Sequence, residues 1–450
     1  MQRDLYQNLI AWKQEPNRKP LLLQGARQTG KTYLLKEFGK NEYAVLHYFN
    51  FEEEPGLASL FASSLQPDHL ITQLSRSRNR EIRAGQDLLV LDEIQQCNNA
   101  LNSLKYFCEE APQYHVVAAG SLLGVKLSKP RSFPVGKVRI MTLHPMTFLE
   151  FLTACGESGL RTMLEQTDRI EPYADLFHHR LVGLLREYYY VGGMPEAVAQ
   201  YAATRSLEKV REVQDDILTA YVSDFAKHAP VSDIPKLSLI WDSIPLHLSR
   251  ENKKFVFSVL SQSARAREYE NALRWLADAG LILTAHAVDA VQQPLAAFAN
   301  RNAFKVYGLD TGLLGAQAKL SGDILTNGDA FFTTFHGAFA ENYVAQQLAA
   351  VSGTGLYYWK TDAGCAELDF LVSHDSRIVP LEVKAGVNPK SKSLASYDRS
   401  YAPGFLARAT LLNLRMDGRI LNVPLYAVNL LARWFGLAAS RSASRGTVIP

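Results

Sequence analysis

The chain has 450 residues, too many for one hydrophobic core and enough for about three domains. A hydrophobic content of 47% and a charged content of 21% are those of an ordinary soluble globular protein. The net charge of +3 is too small to argue for nucleic acid by itself, so any basic surface has to be local.

Cys97, Cys108, Cys155 and Cys365 are scattered, without C-x-x-C spacing or a histidine at ligand distance, and read as reduced thiols rather than a zinc site. The first residues carry no apolar signal core, and no run of about 18 apolar residues occurs. The expectation is a cytoplasmic protein with no membrane segment.

In chain order, Leu5, Leu9, Ile10 and Trp12 mark a short amphipathic helix. The apolar run Leu21-Leu22-Leu23 then leads into Gly25-Ala26-Arg27-Gln28-Thr29-Gly30-Lys31-Thr32, followed by the helical pattern from Tyr33. This is Walker A spacing, set between a strand and a helix as a phosphate cradle requires. The glycines let backbone N–H groups curl round phosphates, and the helix adds its positive N-terminal end. Gly25 through Tyr33 are therefore expected to bind ATP. Lys31 can reach the β and γ oxygens, and the Thr32 hydroxyl can ligate Mg²⁺.

A second strand is expected over residues 43–51, closing on the solvated triplet Glu52-Glu53-Glu54. Leu88-Leu89-Val90-Leu91-Asp92-Glu93 is a continuous apolar strand ending in two carboxylates, the pattern of a parallel strand buried on both faces. Asp92 can hold the Mg²⁺ shell while Glu93 orients and deprotonates the attacking water. Gln95 reads equally as a relay of the γ-phosphate state or as a helix start. Ser121, ending the strand Val116–Gly120, is either a γ-phosphate sensor or an ordinary strand-to-turn residue. Lys126, Lys129, Arg131, Lys137 and Arg139 accumulate where no acid occurs, between Val116 and Leu149. That segment can supply a cation to the transition state, in cis or from a neighbouring subunit, or can face solvent or nucleic acid.

Together with Leu91-Asp92-Glu93-Ile94-Gln95, Gly120-Ser121 and His144-Pro145-Met146-Thr147-Phe148-Leu149-Glu150-Phe151, the loop resembles a prokaryotic AAA+-type P-loop ATPase family. Its members carry a C-terminal domain of unknown function, DUF4143, and the resemblance runs from about Arg3 to about Trp434. Many relatives have Gly-Arg where this chain has Gly136-Lys137. Lysine lacks the planar fork of an arginine finger, which leaves Arg139 or Arg131 as substitutes.

From Phe151 to about Thr204 the pattern is helical, broken at Tyr190-Val191-Gly192-Gly193-Met194-Pro195. The break reads as an interhelix turn; by resemblance, Gly193 and Pro195 match a turn placed against the adenine of the nucleotide. Between Lys236 and Asp310 the order is three helices and two apolar strands, the layout of a winged helix. Arg265, Arg267 and Arg274 on the last helix favour DNA, while Glu268, Glu270 and Asp278 oppose it.

In the C-terminal part, Glu367–Val372 and Ile378–Lys384 read as two strands joined by a turn. Alternation puts Glu382 and Lys384 on one face, where Asp369 of the neighbouring strand can meet them. Two carboxylates holding a metal and a lysine fixing water make a plausible phosphodiester-cleaving site. The array resembles the PD-(D/E)XK nuclease superfamily, with Glu341 matching the acid of that fold's first helix. The open alternatives are a salt-bridged surface hairpin and a nuclease fold retired to binding. Lys390, Lys392, Arg399 and Arg408 add a local basic surface.

The fold expected is α/β: a P-loop NTPase parallel sheet (1–152), a helical lid (153–205), a linker and winged helix (206–315), a restriction-endonuclease-like α/β domain (316–432) and a tail (433–450). Lys31, Asp92, Glu93 and Ser121 form the expected catalytic set, with Thr32 and Asp92 on Mg²⁺. Glu341, Asp369, Glu382 and Lys384 form a candidate second site for Mg²⁺ or Mn²⁺. The partners considered are ATP, DNA or RNA, and further copies of the chain. A rival reading is a nucleotide-gated switch or scaffold whose C-terminal fold only binds a partner.

Overall fold

A computed structural model describes residues 1–121, 136–250, 253–260, 265–322, 336–352, 355–361, 366–386 and 391–446. They divide into two units, Met1–His144 with Asp278–Leu281, and Pro145–Ala277 with Ile282–Pro450. Lys126, Lys129, Arg131, Cys365 and Lys390 lie outside the described residues.

The first unit runs α1 (Leu5–Gln14), β1 (Leu21–Gly25), α2 (Lys31–Glu42), β2 (Val45–Asn50), α3 (Ala58–Ser63), α4 (Pro67–Ser77), β3 (Asp87–Asp92), α5 (Asn98–Glu110), β4 (His115–Ser121) and β5 (Arg139–Thr142). Its five strands pair in the order β2-β3-β4-β1-β5, all parallel. The central strands are apolar at successive positions because both faces are covered. Leu22, Leu89, Leu91, Val116 and Ala118 pack on one side with Phe61, Leu70, Leu101 and Leu104. Leu21, Leu23, Leu88, Val90 and Val117 pack on the other with Leu9, Trp12, Leu34 and Phe38. Each fully buried Leu or Phe of this kind contributes roughly 1.5–3 kcal/mol. β1 lies between β4 and β5, so strand order reverses beside it, and α/β sheets bind ligands at such a point, outside the carboxyl ends of their strands.

The second unit begins with the helices α6 (Phe148–Ala154), α7 (Ser158–Gln166), α8 (Asp175–Val191), α9 (Pro195–Thr204), α10 (Leu207–His228), α11 (Ile234–Leu248) and α12 (Ala266–Asp278). Thr147 and Glu150 start α6 with a reciprocal capping box, satisfying two otherwise orphaned N–H groups. There follow β6 (Ile282–Val288), β7 (Ala299–Gly308), α13 (Thr311–Gln317), α14 (His336–Ser352), β8 (Leu356–Lys360), β9 (Glu367–His374), β10 (Arg377–Val383), α15 (Lys392–Tyr401), β11 (Leu406–Thr410), β12 (Arg415–Asp417), β13 (Ile420–Pro424) and α16 (Leu431–Gly446).

Here the structure departs from the expected boundaries. The hairpin β6–β7, read from sequence as the wing of a separate domain, forms one end of an eight-stranded sheet ordered β12-β13-β11-β10-β9-β8-β6-β7. β6 pairs in parallel with β8 through Ala285–Ala287, so the edge a wing would leave open is closed by the C-terminal segment. The expected division at residues 315 and 316 therefore runs through one continuous sheet.

The break between α8 and α9 is held by a buried carboxylate. Asp310 accepts from the Gly193 N–H at 2.6 Å, the Leu313 N–H at 3.0 Å and Gln346 Nε2 at 2.9 Å. A Cβ on Gly193 would lie 2.1 Å from the Met146 carbonyl oxygen, so only glycine fits there. Replacing Asp310 with Ala leaves two buried backbone N–H groups without an acceptor, each costing about 1–3 kcal/mol, and removes one of the two acceptors of Gln346 Nε2. Urea denaturation of Asp310→Ala should show a loss of about 2–5 kcal/mol in the second unit.

Candidate nucleotide site and a plugged carboxylate cluster

The loop between β1 and α2 takes its shape from residues that cannot be exchanged freely. A Cβ on Gly25 would stand 2.3 Å from the Leu143 carbonyl oxygen. Gly30 has φ 91° and precedes α2 without a side-chain cap, and the first turn carries no acid. That helix end keeps its positive potential for an anion. Thr29 donates its hydroxyl to the Ala26 carbonyl at 2.9 Å, closing the loop on itself.

Asp92, 1% exposed at the end of β3, is the hub. Its Oδ2 accepts from the Thr32 hydroxyl and the Tyr48 hydroxyl, each at 2.7 Å, and its Oδ1 from the Glu93 N–H at 2.9 Å. The residues expected on Mg²⁺ are thus in direct contact. A hard cation takes such hydroxyl and carboxylate oxygens, so the donor set fits Mg²⁺. Lys31 is 7% exposed and donates to the Gly25 carbonyl at 3.1 Å and the Ala26 carbonyl at 2.8 Å. Burial lowers its pKa to about 8, against the opposing pull of Glu93 and Asp92.

Glu93 follows in a left-handed conformation (φ 52°), which turns the chain sharply off the strand. Burial raises its pKa, and Gln95 donates to its Oε2. Ser121 stands opposite Gly25 in the β4–β1 register, at the same end of the sheet. Tyr33 is 52% exposed and accepts from the N-terminal amine at 3.0 Å. Gly193 and Pro195 belong to the second unit, where the Gly193 N–H is committed to Asp310 and Pro195 opens α9.

Two positioning residues escape the sequence reading. Tyr48, an isolated hydroxyl in an apolar strand, holds Asp92. Arg3, 6% exposed, donates to the Thr29 carbonyl at 2.9 Å and the His144 carbonyl at 2.6 Å, pinning the loop from 26 residues away. Of the substitutes considered for an arginine finger, Arg131 lies outside the described residues and Arg139 stands away from the loop of its own chain. Arg139 pairs with Leu21 at the start of β1, the end of the sheet opposite the loop. It is ion-paired with Glu15, and Lys137 with Glu109 at 2.8 Å.

In the second unit, Glu341, Asp369, Glu382 and Lys384 are gathered, but around an ammonium group. Lys305 of β7, 0% exposed, lies 3.0 Å from Glu341, 2.6 Å from Glu367 and 3.9 Å from Asp369. Glu341 also receives Lys253 and, at 2.5 Å, the Tyr307 hydroxyl. Its pKa falls to about 2 because the two ammonium groups outweigh burial. Asp369 accepts the Val383 N–H at 2.7 Å. Burial, and then the Glu341 charge, push its pKa above the usual carboxylate range. Lys305 thus bridges Glu341 and Glu367, Lys253 pairs with Glu341, and Glu382 pairs with Lys384 at 2.8 Å. The buried Glu382 Oε2 has no hydrogen-bond partner among the described residues. Among the described residues no three His, Cys, Asp or Glu side chains are placed to hold a metal. The second Mg²⁺ or Mn²⁺ expected there does not fit: a built-in cation neutralises the carboxylates it would need. Lys305 was missed in the sequence; its only signal is a lone charge in the strand Phe304-Lys305-Val306-Tyr307.

Residues 17–152 match the family model described as AAA domain. Residues 182–323 and 336–428 match two models described as domains of unknown function, DUF8612 and DUF4143. No curated protein matches the chain. Among solved structures, a Walker-type ATPase of Pyrococcus abyssi is 14% identical, with TM-score 0.44, covering 70% of this chain and 95% of its own. The ORC1 protein of Aeropyrum pernix in complex with DNA is 15% identical, with TM-score 0.30, covering 70% and 90%. AMPPCP-bound DnaA of Aquifex aeolicus is 14% identical, with TM-score 0.28, covering 61% and 86%. No helix among the described residues is long and apolar enough to cross a membrane.

Two measurements follow from these sites. Phosphate needs a charged Lys31, whose amine titrates near pH 8 in the chain alone and higher beside a polyanion. ATP binding should therefore take up a proton as pH rises above about 8, with affinity level below that pH and falling over the same range by up to about tenfold per pH unit. Calorimetry in buffers of different ionisation enthalpy reads this directly. Lys305→Met should destabilise the second unit by about 3–5 kcal/mol, since it strands buried carboxylates. Denaturation of the unmutated chain should be unmoved by Mn²⁺ at the C-terminal cluster.

Proposed function

We propose that this chain, with an AAA-domain P-loop ATPase over residues 17–152 ahead of two domains of unknown function, hydrolyses ATP and uses its second unit for binding rather than cutting. The observation that carries the first part is the 2.7 Å bond between the Thr32 hydroxyl and Asp92, beside a Lys31 amine folded onto its own loop. Lys31 and the start of α2 hold the phosphates, and Thr32 and Asp92 hold Mg²⁺. Bound there, Mg²⁺ would neutralise phosphate charge. Glu93, with its raised pKa, accepts the proton of the attacking water, and Gln95 keeps that carboxylate aimed. Ser121 inspects the γ-phosphate from the neighbouring strand end. In the second unit, charge balance around Lys305 favours the non-cutting reading over the nuclease one.

In the test, Lys31→Ala should lose nucleotide binding, while Glu93→Gln keeps binding and loses at least about a hundredfold in turnover. Unchanged turnover in Glu93→Gln would remove that carboxylate from the mechanism. Mg²⁺- or Mn²⁺-dependent nicking that disappears in Asp369→Ala would reverse the reading of the second unit.

A further inference from the structure

A cleft of about 580 Å³ in the second unit lies between α12 and the hairpin β6–β7. Its lining is aromatic. Phe255 and Phe304 stack with centroids 5.7 Å apart, Phe257 meets Phe255 edge-on at 5.1 Å, and His286 lies 6.0 Å from Phe304. Its rim is basic, with Lys254, Arg274 and Arg301 among the lining residues and Glu270 as the single acid, itself paired with Arg274 at 3.4 Å. His286, half-buried in the lining, engages the Asn300 backbone, while its Nδ1 is buried without a hydrogen-bond partner. Burial lowers the pKa of that ring, so it is neutral and offers a hydrogen bond rather than a charge.

We infer that this cleft binds a nucleotide unit, a planar heteroaromatic base attached to phosphate, either free or within a single strand. A cavity of this size suits one nucleotide. Phe255 is already stacked between His247 and Phe304, so the half-buried Phe257 supplies the stacking that any base can use, and the arginines supply the phosphate contact. Duplex nucleic acid is excluded as the ligand because its bases are stacked on each other and cannot present a face to Phe257. The site is independent of the Walker A loop and stands whether or not that loop hydrolyses ATP.

The test uses the full chain carrying Lys31→Ala, so that the loop site is silent. Its probes are a fluorescent oligothymidylate of about ten nucleotides and thymidine monophosphate as competitor. Anisotropy should report binding that weakens with salt. Phe257→Ala should cost about tenfold in affinity, the loss of one stacked base. Arg301→Ala, at an exposed position that leaves the fold alone, should weaken binding and reduce the salt slope by about one. Competition by the mononucleotide assigns the site to free nucleotide, and resistance to it assigns the site to a strand. Absence of binding, equal competition by a duplex, or unchanged affinity in both Phe257→Ala and Arg301→Ala would overturn the inference.

Discussion

One carboxylate sets the geometry of the first unit. Asp92 ends a strand buried on both faces, so it cannot move sideways, and it accepts from a helix residue, a neighbouring strand and the next backbone N–H. Hydrogen bonds to an ionised acceptor are about twice as strong as neutral ones, so these three contacts fix α2 and β2 to the end of β3. Thr32 is thereby held where its hydroxyl and the Asp92 oxygen face the same ligand. The Arg3 contacts to the Thr29 and His144 carbonyls fix the other side of the loop. The phosphate cradle is therefore positioned from both flanks before any anion arrives.

The two units treat buried charge in opposite ways. In the first, Lys31 is drawn towards its neutral form by burial, while Glu93 is raised towards its own, so neither charge is fully satisfied within the protein. In the second, Lys305 is held in its charged form and Glu341 in its ionised form by each other. Buried groups whose charge is not satisfied within the protein are suited to chemistry, whereas mutually saturated ones stabilise a fold or fix its register. Lys305 joins β7 to α14 and β9, adding a side-chain link to the backbone pairing of β6 with β8 that makes the hairpin and the C-terminal segment one sheet.

What could be read from the sequence was local. The loop Gly25–Thr32 and the strand closing on Asp92 carry their chemistry in consecutive residues, and alternation alone placed Glu382 and Lys384 on one face. What could not be read was pairing between distant segments. Arg3, Tyr48 and Lys305 act on partners 26, 44 and 36 residues away, and no spacing rule reaches that far. The hairpin was visible as two apolar runs, but its outer edge is closed by β8, whose identity depends on the fold. β5 was missed because it spans four residues with two exposed, too short for a pattern.

The Lys31 amine ties these points to a ligand. A buried ammonium bonded only to neutral carbonyls has exchanged water for weaker acceptors, and its lowered pKa measures that loss. A polyphosphate entering the loop would offer ionised oxygens in place of carbonyls and restore the charged form. The depressed basicity that makes the loop unfavourable for an isolated lysine is thus the same quantity that an anion recovers on binding. A lysine retained for folding alone would be expected to find a carboxylate, as Lys305 does. Lys31 has Asp92 and Glu93 within electrostatic range, yet rests on Gly25 and Ala26, leaving its charge available to a third party.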